Sequence, residues 1–284
     1  MGTDGDEGQT VSGRPPETGW LADTAVEDNL LRQFLHNQAD FADLLAEGFG
    51  GATARTGDVA LAASRCLVPY FNEALLLRPV LSDDDPVLDE VDAFFAASEA
   101  PVWVLLSAWP TPPFEGRGWE LVGHPAFVVR TPGADLREPA SRPGVDLAVR
   151  RATSASDVRA AEAVMAEGYP LDDAAGRPGS AFPESLGDSD VSVHLAAVGG
   201  TDVAVGLGYV AHGCVNLCGA ATLPAARRTG AWGALVRRRI AAAPELPAVA
   251  FTSDFSRPGF EHLGFVSAFR FTMWARSRGS APTG

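Results

Sequence analysis

The chain is a succession of short strand-length apolar segments separated by helix-length amphipathic ones, and this order begins again after residue 144. Alternation on that scale has few stable solutions; the expected one is a mixed sheet covered by helices, of α/β or α+β class. In the first run, apolar residues at helical spacing between Trp20 and Phe49 (Leu30, Leu31, Phe34, Leu35, Phe41, Leu44, Leu45) predict a helix. Strands are expected at GDVALAASRC, PYFNEALLLRPV, APVWVLLSAW and PAFVVRTP, a helix at DDDPVLDEVDAFFAAS, and a short helix-like turn at FEGRGWELVGH. The segment GADLREPASRPG, rich in Pro, Gly and charge, reads as a connector. In the second run VDLAVRRAT, VSVHLAAV, VAVGLGYVAHG, CVNLCGAATL, AVAFTSDF and VSAFRFTMWAR read as strands, with GGTD as a hairpin turn. SASDVRAAEAVMAEGY is a helix with a Ser start, and SRPGFEHLGF a short one. The division is therefore a flexible tail over 1–19, a first half over 20–132, a connector over 133–144, a second half over 145–276 and a second tail over 277–284. A faint internal echo joins the halves: APVWVLLSAW … WELVGHPAFVVR parallels PAVAFTSDF … FEHLGFVSAFRFTMW in the order of its elements.

Composition narrows the function. With 284 residues, 46% hydrophobic and 20% charged, the chain can bury a sizeable core. Its formal net charge of -14 repels phosphate backbones, so nucleic acid is not an expected partner, and weakly favours a cationic small molecule through steering. Every basic side chain is Arg and none is Lys, which reads as the codon usage of a GC-rich, bacterial genome. No apolar run reaches the roughly 20 residues of a membrane span, and the acidic start carries no secretion signal, so no membrane partner and a cytoplasmic location are expected. Three cysteines, Cys66, Cys214 and Cys218, make no disulfide framework, and Cys214 and Cys218 are expected as small core residues. The five histidines lack ligand spacing, so no metal site is expected. The oligomeric state is left open.

One stretch stands out, ATLPAARRTGAWGALVRRRI at 221–240. A strand breaks at Pro224, two arginines gather, and Gly230 opens a helix. A helix start exposes unpaired N–H groups and about half a positive charge, and a glycine there lets a diphosphate come close. The surrounding order is hairpin, strand, this loop, helix, strand, short helix and Leu263-Gly264-Phe265. That order resembles the GNAT superfamily, the acyl-CoA-dependent N-acetyltransferases, whose signature is an R/Q-x-x-G-x-G/A loop. Here the loop is Arg227-Arg228-Thr229-Gly230-Ala231-Trp232, and the later element Phe260-Glu261-His262-Leu263-Gly264-Phe265. Trp232 stands where the family has Gly or Ala.

The resemblance implies a mixed central sheet of the GNAT type, in two related halves, with one acyl-CoA site in the second. It implies acetyl-CoA as co-substrate, no metal, and a small-molecule amine or amino-acid derivative as acceptor. The implied cofactor-binding residues are Ala221, Thr222, Leu223, Arg227, Arg228, Thr229, Gly230, Ala231, Trp232 and Gly233, with a backbone N–H near Ala221 to Leu223 polarising the thioester carbonyl. Many relatives place a tyrosine acid where this chain has Phe260, and a glutamate base on the central strand, which here offers Asn216, Leu217 and Cys218. The catalytic group is thus unassigned, with Ser256 and Asp254 the candidates, either of which could equally be a helix N-cap; Tyr209, His212 and His262 are further polar options. Tyr70, Asn72, Trp109 and Tyr169, with Phe71 and Phe114, are candidate linings of an acceptor pocket between the halves. The alternative is a non-catalytic acyl-CoA-binding sensor or scaffold on the same fold; transfer of a longer acyl or an aminoacyl group is a third reading.

Overall fold

The computed structural model describes residues 29–64, 66, 68–134, 136–137, 144–169 and 177–279. The expected tail at 1–19, the beginning of the first helical pattern, most of the connector and residues 280–284 lie outside these. The elements in chain order are α1 (Leu30–Gly48), β1 (Ala52–Arg55), β2 (Val59–Ala63), β3 (Asn72–Leu76), α2 (Pro86–Ala97), β4 (Val102–Ser107), β5 (Glu120–Gly123) and β6 (Ala126–Arg130). Then follow β7 (Leu147–Arg151), α3 (Ala155–Gly168), β8 (Ser192–Val198), β9 (Thr201–Ala211), β10 (Cys214–Thr222), α4 (Ala231–Ile240), β11 (Ala248–Thr252), α5 (Arg257–His262), β12 (Val266–Arg270) and β13 (Thr272–Ser277).

Local chemistry fixes the helix ends. The Asn29 side chain accepts from Arg32 N–H, Asp85 from Val87 N–H ahead of Pro86, and Ser154 from Asp157 N–H. Each pairs one of the donors that a helix start leaves free. Side chains alternate across the central strands, and this sorts the layers. Leu195, Val205 and Leu207 join Val158, Ala161 and Met165 of α3 and Phe41 and Leu45 of α1. Ala196 and Ala204, one residue out of phase, meet Leu235 of α4 on the opposite face.

Two sheets result, in the orders β1-β2-β3-β4-β13-β5 and β12-β6-β11-β10-β9-β8-β7. Each contains one parallel pair, β3 with β4 and β10 with β11. Beside that pair, each sheet accepts a strand from the far side of the connector: β13 enters between β4 and β5, and β6 between β11 and β12. The two halves drawn at 20–132 and 145–276 thus exchange a strand, and neither sheet is made by one of them alone. No helix among the described residues is long and apolar enough to cross a membrane.

Three expected elements differ. VSAFRFTMWAR is not one strand but two, β12 and β13, serving different sheets. The break falls at Phe271, whose N–H donates to Pro125 C=O and whose ring packs among Phe34, Phe127 and Phe269 where the sheets meet. No turn residue marks the break, so the alternating pattern runs straight through it. FEGRGWELVGH ends as strand β5, with only Glu115–Arg117 helical. PYFNEALLLRPV begins as a 3-10 turn over Pro69–Phe71, set by Pro69, which swings Tyr70 and Phe71 away from the sheet path of β3.

Candidate active site

β10 and β11 run parallel but pair only at Val215↔Ala248 and Asn216↔Val249. Beyond Asn216 the register of β10 against β9 shifts by a bulge before Gly219, and β10 continues to Thr222 with no ladder partner on its β11 side. A bulge bends a strand and raises its twist, which is how the two strands come apart. A cavity of about 410 Å³ opens at this parting, walled by Leu217–Ala220 of β10 and by Ala250–Ser256 from the end of β11 and the turn after it. Val68, Tyr70, Phe71 and Val122–Pro125 of the first half also line it, with Tyr169 after α3 and Trp232 and Arg239 of α4.

A second cavity, of about 510 Å³, lies between the start of α4 and α5. Thr222, Arg227, Arg228 and Gly230–Gly233 line it on one side and Pro258, Gly259, His262 and Leu263 on the other. Gly230 caps α4 with φ 91°, and Arg228 holds φ 65°, so the chain makes two left-handed residues within three. The first intrahelical bond of α4 runs from Ala234 N–H to Gly230 C=O, so the amides of Ala231, Trp232 and Gly233, all lining this cavity, stand outside the helix ladder. Amides in such a turn, two arginines and a helix start converge here, and together they fit a diphosphate. The two cavities share Trp232, Phe255 and Ser256. The Trp232 ring stands edge-on to Phe260 at 4.8 Å and packs against Gly259, where a Cβ would lie 3.0 Å from it.

No protein-family model and no curated protein matches the sequence. Among solved structures, a GCN5-related N-acetyltransferase from Kribbella flavida is similar at 22% identity and TM-score 0.55, covering 85% of this chain and 96% of its own. A protein assigned to the GNAT family from Novosphingobium aromaticivorans matches at 15% identity and TM-score 0.54, covering 88% of this chain and 100% of its own. The chain has the GNAT fold. A conserved protein of unknown function from Staphylococcus epidermidis shares it at 11% identity and TM-score 0.58, over 81% of this chain and 95% of that one. The likeness spans both sheets, more than the segment 145–276 alone could supply.

Within the GNAT fold the expected site residues separate. Thr222, Arg227, Arg228, Gly230, Ala231, Trp232 and Gly233 line the second cavity, whereas Ala221, Leu223 and Thr229 do not. Ala221 is buried against α3, the Thr229 hydroxyl donates to Ala226 C=O, and Leu223 N–H already donates to Val203 C=O at 2.9 Å. That bond removes Leu223 as a donor to a thioester; the strand wall at the parting is Leu217–Ala220, directly upstream of the expected Ala221 to Leu223. Tyr70 and Tyr169, distant in sequence, meet edge-on at 6.1 Å in the first cavity's wall. Burial and the neighbouring Tyr70 push the Tyr169 phenol up to about 12. Asn72 and Trp109 are not in that wall, nor is Phe114, which is core. The Asn72 amide is used internally, donating to Cys66 and Val102 C=O and accepting from Ser64 N–H.

Asp254 and Ser256 both line the first cavity, but neither caps α5 with its side chain. Asp254 is exposed and accepts from Arg270 at 2.7 Å, and Arg270 holds its carboxyl below the usual range, which makes it a poor base. Cys214 is core, as expected; Cys218 is instead in the cavity wall, its thiol pushed up by burial and so kept protonated. Tyr209 and His212 lie outside the wall, His212 beside Asp40 at 2.6 Å, while His262 lines the second cavity. No cluster of three or more His, Cys, Asp or Glu suited to a metal occurs among the described residues.

Two buried polar groups at the parting had no counterpart in the sequence reading. Arg239 of α4 crosses beneath β9 and donates to Leu207 C=O at 2.7 Å and to Gly219 C=O at 3.3 Å, within the bulge. It is 1% exposed, has no carboxylate partner, lines the first cavity, and burial lowers it to about 10. Gly206 and Gly208 leave room for it: a Cβ on Gly206 would lie 2.9 Å from the guanidinium carbon. On the other face, Asn216 donates to Gln38 at 2.9 Å, and Gln38 donates to the Glu73 carboxyl at 3.0 Å. Burial pushes Glu73 up to about 8.

Proposed function

We propose that this chain is an acetyl-CoA-dependent N-acetyltransferase that acetylates an amine of a small molecule in the cytoplasm. The observation that carries the reading is that the strand parting and the α4 cradle open on adjoining cavities through Trp232, Phe255 and Ser256. The cradle at Arg227–Gly233 would hold the diphosphate of coenzyme A, and the gap beyond Asn216 would admit the pantetheine arm. Backbone N–H groups of Leu217–Ala220 on the β11 side are the donors best placed for the thioester carbonyl oxygen, a role worth about 2.7–4 kcal/mol per donor. Arg239, holding the Gly219 carbonyl, stiffens the bulge that presents them and adds positive potential beside it.

In the transfer the amine nitrogen bonds to the carbonyl carbon as the carbon–sulfur bond breaks, and one proton passes from nitrogen to the departing thiolate. Phe260 takes no part in that proton transfer; it is 5% exposed and packs against Trp232 and Phe265. Orientation within the cavity therefore supplies most of the acceleration. Calorimetry with acetyl-CoA, followed by thiol release on adding amines, tests the proposal. Binding together with amine-dependent thiol release is expected. Binding with no release from any amine would favour a non-catalytic acyl-CoA sensor, and no binding would sink both.

A further inference from the structure

Resting on the acetyltransferase reading, we infer the class of acceptor: an aromatic amine that is already neutral at neutral pH, not an alkylammonium. The first cavity is walled by aromatic rings from both sides of the connector, among them Tyr70, Tyr169, Phe251, Phe255, Trp232 and Phe260. Flat apolar walls suit a flat apolar body. Phe255 is 99% exposed yet lines both cavities, so a large ring waits at their shared mouth.

Charge excludes the alternative. Aromatic cages also bind cations, so rings alone do not decide. Among the described residues the charged side chains in the wall are Arg239 and Asp254, with His124 as a further titratable group. Arg239 is cationic, buried and paired only with carbonyls. Asp254 sits at the mouth, occupied by Arg270 and adjacent to Arg257. An ammonium entering the cavity would lose its water, meet a buried like charge and find no free carboxylate among the described wall residues. The chain's overall negative charge attracts cations only at its surface, because salt screens it over about 8–10 Å.

Proton accounting agrees. An alkyl amine with a pKa of about 10.4 is neutral in fewer than one molecule in a thousand at pH 7, so its enzyme must first remove a proton. Among the described residues the wall holds protonated groups, Tyr169 and Cys218, and an exposed His124, but no uncommitted carboxylate. An aromatic amine has its lone pair free at pH 7 and sheds its single proton only as the carbon–sulfur bond breaks.

The test uses two isomers of equal size, p-toluidine and benzylamine, with spermidine as a polycation, full-length protein and acetyl-CoA. At pH 7 kcat/KM for p-toluidine should exceed that for benzylamine at least about tenfold. The p-toluidine rate should stay flat from pH 6.5 to 9. Phe255→Glu, at a position too exposed to disturb the core, adds a carboxylate to the wall and should lower the p-toluidine to benzylamine ratio about tenfold or more. Preference for benzylamine or spermidine at pH 7, or acetyl-CoA binding without turnover of p-toluidine, overturns the inference and leaves coenzyme A binding intact. Absence of acetyl-CoA binding removes the acetyltransferase reading itself.

Discussion

Gly230 and Arg228 both hold positive φ and line the second cavity, while Thr229 between them donates its N–H to Ala226 C=O. Gly230→Asp puts a side chain and a negative charge where the diphosphate is expected and strains a left-handed position. Coenzyme A affinity should fall at least about 100-fold by calorimetry, roughly 2.7 kcal/mol, with the circular dichroism spectrum unchanged. Unchanged affinity would remove the cradle. This loop was legible because its chemistry is local: arginines, a glycine and a helix start lie within six residues. Glu73 was not, because Gln38 and Asn216 reach it from 35 residues away and, in turn, across 178. Its raised pKa has a consequence for stability. Between pH 4.5 and about 8 the unfolded chain ionises this carboxyl while the folded one keeps its proton, so stability present at low pH is lost as pH rises through that window. Glu73→Gln removes the titration while keeping an acceptor for Gln38. The variant's unfolding free energy relative to the parent, read by chemical denaturation at each pH, should therefore climb from pH 5 to pH 8.5 by an amount on the order of 3–5 kcal/mol at most. A difference independent of pH would mean that Glu73 is ionised inside the fold.

Besides the apolar contact of Ala204 with Leu235, the strand β9 and the helix α4 are joined by one buried charged side chain. Arg239 lies along Gly206 and Gly208, and its reach to Gly219 ties the helix that makes the cradle to the bulge that opens the gap. The sequence pattern VAVGLGYV showed two glycines spaced by two, hence on one face, but nothing local says that an arginine 31 and 33 residues later fills the space. Gly206→Ala should destabilise the protein by about 1–3 kcal/mol through overpacking. In an Arg239→Ala background the same substitution should cost markedly less, since the atoms it meets are gone. Chemical denaturation of the two single variants and the double variant measures the coupling, and strictly additive losses would place the guanidinium elsewhere. The helices α1, α2 and α3 were readable from local sequence, α3 also from its Ser start, because Ser154 is near in sequence to the Asp157 amide it pairs. The split of β12 from β13 was hidden for the opposite reason: Arg270, Phe271 and Thr272 carry no breaker, and tertiary packing of Phe271 alone makes the bend.

Exchange of β6 and β13 makes the two sheets one mechanical unit, and no single-residue pattern announces it. The internal echo in the sequence was real in its element order, since each sheet has a parallel pair followed by an edge strand of its own half. Connectivity differs, because each half's last strand leaves for the other sheet. β13 pairs with β4 along Thr272–Ser277 and with β5 along Met273–Ala275, burying Met273 and Trp274. Truncation after Arg270 would leave β4 and β5 with no strand between them and open the core around Trp103, Phe114 and Trp119. It would also withdraw Phe271 from the cluster that joins Val249 of β11 to Phe127 of β6, which places the loss beside the strand parting as well. Two sheets joined only by a covalent connector would unfold separately, the damaged one first. Sheets that hold each other's strands should unfold together. For the full chain, guanidinium titrations followed by far-ultraviolet circular dichroism and by fluorescence should therefore give coincident single transitions. The fluorescence comparison uses one variant retaining only Trp232 and another retaining only Trp119. In the chain ending at Arg270, both probes should lose their cooperative transition. Survival of a sharp Trp232 transition in the truncated chain would mean that the second sheet stands alone and that the exchange couples nothing.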